Sequence, residues 1–163
     1  LMTPPVPTLQ HWSSAIGLFI INFGMLDLHV QDFLQSTLSP EEFSRFRDRH
    51  FHDRITRIKE HVTAVNYLPQ QKQAMAQFFA RLDPVRDLRN HIAHGLLRIG
   101  LTEDQTSCIL TLFLPRDLDG SGCPQARHLT YQELLRAGTE LTQLIEDFES
   151  LFGNWVVDAD VRY

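Results

Sequence analysis

Residues 9–34 read LQHWSSAIGLFIINFGMLDLHVQDFL, and the spacing within them decides the fold class. Leu9, Trp12, Ile16, Phe19, Ile20, Phe23, Leu26, Val30, Phe33 and Leu34 recur mostly in steps of three and four, the period of a helix that buries one side. Thr8 is placed to accept from the first free backbone amides, and the helix is expected to end near Leu38. No Lys, Arg, Asp or Glu falls between Leu9 and Leu26. Gln10, His11, Ser13, Ser14 and Asn22 nevertheless interrupt the run, which makes it a poor membrane span. A long amphipathic core helix is the expectation.

The same period continues downstream. Ser39-Pro40-Glu41-Glu42 is a start signal: Ser39 caps, Pro40 takes the first helical position, and Glu42 closes a capping box. Phe43, Phe46, Ile55, Ile58, Val62 and Val65 carry a second helix to about Tyr67, with a bend near Phe51. A third begins after Pro69 and keeps its period through Met75, Phe78, Phe79, Leu82, Val85, Leu88 and Ile92 until Gly95 stops it. Pro84 predicts a kink or a fresh start at Asp83. LLRIGL (96–101) and CILTLFL (108–114) flank the polar TEDQTS (102–107), the pattern of a β-hairpin. RDLDGSGCPQ (116–125) reads as a surface loop. Thr130 then caps a fourth helix carrying Leu134, Leu141, Leu144, Phe148 and Phe152; Gly153 ends it, and Trp155, Val156 and Val157 dock as a tail. The expected fold is all-α: one domain over residues 1–163, a four-helix up-and-down bundle with a small β-hairpin insert between the third and fourth long helices. Residues 1–7 are expected to be irregular and 153–163 to form the C-terminal tail.

A net charge of −5 gives no global field for nucleic acid, but the charge is unevenly spread. Residues 1–39 carry −2, residues 40–101 carry +4, and residues 102–163 carry −7. The basic middle permits a local anionic ligand. Cys108 and Cys123 stand far apart and form no CxxC pair, so neither a zinc knuckle nor a disulfide framework is expected. With no basic-then-apolar leader pattern at the start, the expected compartment is the cytoplasm, with no membrane partner.

The chemistry concentrates in LRNHIAHG (88–95). Arg89 and His94 are five apart, about 140° around a helix, so one helix does not aim both the same way. The long arginine must reach around, or a second copy must bring the two types together across a two-fold axis. Asn90 and His94, four apart, share a face. His94 falls in the last turn, near the negative end of the helix dipole. Histidine moves protons near neutral pH, arginine holds a phosphate and the charge that builds on it, and Asn90 can orient either group. The set suits phosphodiester chemistry and calls for no metal and no cofactor.

RNHIAHG resembles the signature of the HEPN superfamily: Arg, a polar residue often Asn, a short spacer, then His. Its place near the end of the third long helix matches as well. The resemblance implies a homodimer whose two motifs face one another across a cleft. It also implies a metal-independent endoribonuclease that attacks with the ribose 2′-hydroxyl, often as a toxin or phage-defence effector. Arg89 and His94 would be catalytic, with Asn90 and His91 supporting. Arg86, Arg98 and Asp27 are candidates for the cleft or for contact with RNA. The implied partners are RNA, a second copy, and an antitoxin or regulatory protein. One toxin branch has Tyr two residues after the His; Leu96 stands there in this chain, so that branch's pairing with its antitoxin is not implied. Other branches have lost nuclease activity, and the alternative reading is a catalytically silent, dimeric HEPN-like binding or regulatory module.

Plainer readings stand beside these. Arg89 and Asn90 can form a solvated helix face paired with Asp87 or Asp83, and His94 can cap terminal carbonyls. Asp87, His91 and His94 form a D-x-x-x-H-x-x-H array, the basis of a third, metal-dependent reading. FRDRHFHDRITRIK (46–59) could guide an RNA backbone, but interleaved acids and helical scatter favour a solvated face. Phe19, Phe23, Phe43, Phe46, Phe78 and Phe79 belong to core or dimer interface rather than to base-stacking platforms.

Overall fold

A computed structural model of the chain describes residues 6–101, 108–113 and 127–153. Five helices and three strands lie among them: α1 (Leu9–Thr37), α2 (Pro40–Arg47), α3 (Phe51–Ala64), α4 (Pro69–His94), β1 (Leu96–Leu101), β2 (Cys108–Phe113), β3 (Arg127–Thr130) and α5 (Tyr131–Phe152). The described protein is thus mostly helical with one small antiparallel sheet of order β1-β2-β3. The turn at 102–107, the loop at 116–125 and the tail at 154–163 lie outside the described residues.

The start signals behave as their chemistry dictates. Thr8 Oγ1 accepts from the His11 amide at 3.4 Å at the head of α1. Ser39 and Glu42 form the reciprocal capping box that opens α2 on Pro40. Thr130 and Glu133 form a second one at α5: the Glu133 amide donates to Thr130 Oγ1 at 3.2 Å, and the Thr130 amide donates to Glu133 Oε2 at 2.6 Å. The Thr130 amide foremost, and then the Thr130 hydroxyl, which donates to the same carboxylate at 2.8 Å, lower the Glu133 pKa below the ordinary carboxylate value.

Three expectations need correction. The second helix is not bent but broken into α2 and α3. The Asp48 amide turns back to Phe46 O and the Asp53 amide starts afresh on His50 O, so the backbone between them leaves the helical ladder. Of the kink or fresh start expected at Pro84, the fresh start does not occur, because α4 runs through it as one helix. A proline deletes one amide donor, and the buried Val85, Leu88 and Ile92 beyond it still hold their side of the helix against the core. Finally, the hairpin gains a third strand. Strand β3 pairs with β2 through Ile109↔Thr130, Leu110↔Leu129, Thr111↔His128 and Leu112↔Arg127.

The chain divides into two compact units. Unit 1 takes residues 1–22 and 83–141, including the sheet. Its core is Trp12, Phe19, Val85, Leu88, Ile92, Leu110, Leu112, Leu129, Leu134 and Leu141. Trp12 is fully buried, edge-on to Tyr131 at 5.2 Å between ring centroids. The strand register puts Leu110, Leu112 and Leu129 on the covered face of the sheet, with Arg98, Thr111 and His128 in one row on the other.

Unit 2 takes residues 23–82 and 142–163. Its centre is an aromatic cluster in which Phe33, Phe78, Phe79, Phe148 and Phe152 meet, with Phe148 stacked on Phe152 at 4.6 Å. Helix α1 is long and apolar enough, by length and composition, to cross a membrane, with a mean hydropathy of 1.4 over 18 residues. One side of it is nonetheless core: Trp12 and Phe19 in unit 1, and Phe23, Leu26, Val30 and Leu34 in unit 2.

His61 on α3 makes unit 2 sensitive to pH. Its ring stands edge-on to Phe33 at 5.6 Å and to Tyr67 at 6.5 Å. Burial, reinforced by the nearby Arg57 charge, pushes its pKa below the ordinary 6.5. The unfolded chain therefore takes up this proton before the folded one does. Stability from this group is complete above pH 6.5 and declines as pH falls through that value toward the lowered folded one. Thermal scans across this range are expected to show a steeper loss of Tm on acidification for the wild type than for His61→Gln; equal slopes would remove His61 from the account.

Candidate functional site

The candidate site is built by the last two turns of α4, in unit 1. Leu88 and Ile92 face the core and fix the roll of the helix, which leaves Arg89, Asn90 and His91 half-buried and His94 exposed. The Gly95 amide donates to His91 O at 2.9 Å, closing the last turn where β1 begins.

Within this single chain the arginine does reach around. Arg89 Nη1 lies 3.4 Å from His94 Nε2 and 3.3 Å from Asn90 Oδ1. A guanidinium offers only donors, so Nε2 faces it as an acceptor, the state in which an imidazole can take up a proton. Three of the sequence candidates therefore converge: Arg89, Asn90 and His94.

His91 is held differently. Its Nδ1 donates to the Asp87 carbonyl oxygen at 2.8 Å and lies 3.7 Å from the Asp87 carboxylate. That carboxylate accepts from Arg127 Nη1 of β3 at 2.7 Å. Asp87 thus joins helix to sheet. Asp87 holds His91 while His94 lies beside Arg89, and among the described residues no three His, Cys, Asp or Glu are grouped to share a metal. Arg86 pairs with Asp83 at 3.3 Å one turn back on α4. Arg98 stands on the open face of the sheet, in the row with Thr111 and His128.

Asp27 belongs to unit 2, where both its carboxylate oxygens accept from Arg54 Nη2 at 2.5 and 2.6 Å. Arg54, one of the basic residues considered as an RNA guide, is itself buried at 6 % exposure. Arg57 of the same run lies 3.7 Å from Glu42 and 3.6 Å from Glu60, and Lys59 sits over the Phe79 ring. Those three cations of the run are engaged within the protein.

Arg127 escaped sequence reasoning. The signal was weak: RHLT is four residues with one apolar side chain, Leu129, shorter than the hydrophobic strands before it. No protein-family model, curated protein or solved structure matches the chain.

Proposed function

We propose that this protein is a HEPN-like endoribonuclease, working as a homodimer in the cytoplasm as a toxin or defence effector, with its long helices in the four-helix arrangement of that superfamily. The observation that carries the reading is the contact of Arg89 with His94 and Asn90 at an exposed helix end. In this scheme the guanidinium donates to the non-bridging oxygens of one RNA phosphate and holds the charge that grows there. The 2′-oxygen attacks the adjacent phosphorus, the bond to the 5′-oxygen breaks, and a 2′,3′-cyclic phosphate and a 5′-hydroxyl result. One proton leaves the 2′-hydroxyl and one reaches the departing 5′-oxygen; His94 carries one of these transfers. Asn90 steadies Arg89, and His91, fixed by Asp87, borders the site. Arg86 and Arg98 extend positive charge along α4 and β1 toward the flanking phosphates.

The test is incubation of purified protein with RNA in excess chelator. The expected result is fragments ending in a 2′,3′-cyclic phosphate, made equally well with and without divalent metal. A folded protein that binds RNA without cutting it would replace this reading with that of a silent binding module. Cleavage abolished by chelator would instead favour the metal-dependent reading.

A further inference from the structure

Cleavage of a phosphodiester by its own 2′-hydroxyl moves two protons, one off the attacking oxygen and one onto the leaving oxygen, and His94 carries only one of them. The neighbouring imidazole, His91, is held in a way that readies a ring for the other. Its Nδ1 donates to the Asp87 carbonyl oxygen at 2.8 Å, with the Asp87 carboxylate 3.7 Å away. That carbonyl lies inside α4, where the His91 amide already satisfies it in the helical ladder, so the ring's bond is not needed to match it. What the bond does is fix the tautomer and the tilt of the ring, which leaves Nε2 as the working nitrogen. Arg127 Nη1 clamps the Asp87 carboxylate from β3 at 2.7 Å. Among the described residues nothing bonds to His91 Nε2. The side-chain nitrogens and oxygens that are sealed from water without a partner are Trp12 Nε1 and Arg54 Nε, and His91 Nε2 is not one of them. It therefore opens to solvent, although the side chain as a whole is 14 % exposed. His91 and His94 stand three residues apart, about 60° around the helix and about 4.5 Å along it, so two imidazoles border one site.

We infer that His91 is a further catalytic residue, the acid that protonates the leaving 5′-oxygen, with Asp87 as its positioning residue. The inference rests on the ribonuclease reading of this site. His94 turns Nε2 toward Arg89 as an acceptor, which suits it to take the proton of the 2′-hydroxyl. His91 supplies the other proton and enters with one on each ring nitrogen. As the 2′-oxygen bonds to phosphorus, the bond from phosphorus to the 5′-oxygen breaks. Its electron pair goes to that oxygen, which takes the Nε2 proton of His91. The His91 ring is left neutral with Nδ1 still bonded to Asp87, and His94 is left charged. One proton taken from water by His91 and one released to water by His94 reset both. The charged His91 ring faces the Asp87 carboxylate, which Arg127 keeps in place from the other side.

RNA whose scissile 5′-oxygen is replaced by sulfur separates this role from a structural one, because a thiolate leaves without needing a proton. Single-turnover cleavage of a short oligoribonucleotide and of its 5′-thio counterpart is measured in chelator with the full chain. His91→Ala is expected to cut the ordinary linkage about a hundred- to ten-thousandfold more slowly than the wild type, and the 5′-thio linkage nearly as fast as the wild type does. His94→Ala, which lacks the base, is expected to be slow on both. Asp87→Asn is expected to repeat the His91→Ala pattern more weakly: slower on the ordinary linkage, restored on the thio one. His91→Gln stands in should the alanine variant fail to fold, since an amide keeps a polar side chain there and cannot give up the proton. A His91 variant equally slow on both linkages acts through structure alone and overturns the inference. So does one that cleaves ordinary RNA as fast as the wild type. Either result leaves the nuclease reading standing, whereas a wild type that cleaves neither linkage overturns both together.

Discussion

Alanine at His94 is expected to slow RNA cleavage by about a hundred- to ten-thousand-fold, the usual span for losing a group that moves a proton in the transition state. Arg89→Ala is expected to cost about a hundred- to thousandfold, the scale for removing a donor aimed at developing charge. The two residues touch, so the double variant should lose little more than the worse single one. Arg89→Lys separates charge from shape. An ammonium keeps the positive charge but not the planar fork that reaches a phosphate, Asn90 and His94 together, and it should restore only a small part of the rate. His94 is exposed and Arg89 half-buried at a helix end, so Tm should move little in these variants. Single-turnover cleavage in chelator is the measurement. Full activity in His94→Ala would remove the imidazole from the chemistry whatever the geometry suggests.

Arg86→Ala and Arg98→Ala offer a contrast within the same assay. Both lie apart from the Arg89–His94 contact, Arg86 engaged with Asp83 and Arg98 out on β1. Substitution there should weaken RNA binding and its salt dependence while leaving the rate at saturating RNA nearly unchanged.

Local periodicity in the sequence was enough to read most of the helices, and caps were enough to read their starts. Ser39 with Glu42, and Thr130 facing the α5 helix, are short-range patterns whose partners lie three residues away, so a linear reading finds them. Four misses share one physical cause, dependence on partners distant in sequence. The break at 48–50 carries no glycine or proline; its carbonyls are received by Arg54, several residues on. Strand β3 is too short to announce itself without β2 beside it. The bond that Arg127 gives the Asp87 carboxylate spans forty residues. The acceptance of Arg54 by Asp27, twenty-seven residues apart, leaves no trace in spacing. At the candidate site, the composition of the motif was legible, and its spacing left two routes for Arg89 to meet His94, a reach within one chain or a second copy; the single chain takes the first. Ideal helix angles place them apart, and only the length of the arginine side chain closes the gap.

The same long-range partner gives the largest expected stability effect. Arg54→Ala is expected to lower the unfolding free energy by about 3–5 kcal/mol, the range for breaking a buried ion pair from one side. The Arg54 side chain is 7 % exposed and that of Asp27 26 %. One guanidinium serves three sites at once: Nη2 donates to both Asp27 carboxylate oxygens, while Nη1 donates to the carbonyls of Arg47 and Arg49 at 3.2 and 2.5 Å. Those carbonyls lie at the end of α2 and in the break before α3, where the helical ladder leaves acceptors unmatched. Truncation therefore strands a carboxylate and two carbonyls together and leaves a void where the side chain was. Asp27→Ala should be the milder change, about 2–4 kcal/mol, since Arg54 keeps both carbonyl bonds. Arg54→Lys should recover only part of the loss, because a single ammonium cannot span Asp27 and two carbonyls at once. Because the two side chains share one network, a double-mutant cycle over Arg54 and Asp27 should be clearly non-additive. Urea unfolding of the four proteins measures this directly, and hydrogen exchange should show the loss concentrated at the α2–α3 break. A cost below about 1 kcal/mol for Arg54→Ala would place the pair with ordinary surface ion pairs and would require the break between α2 and α3 to be held by something else.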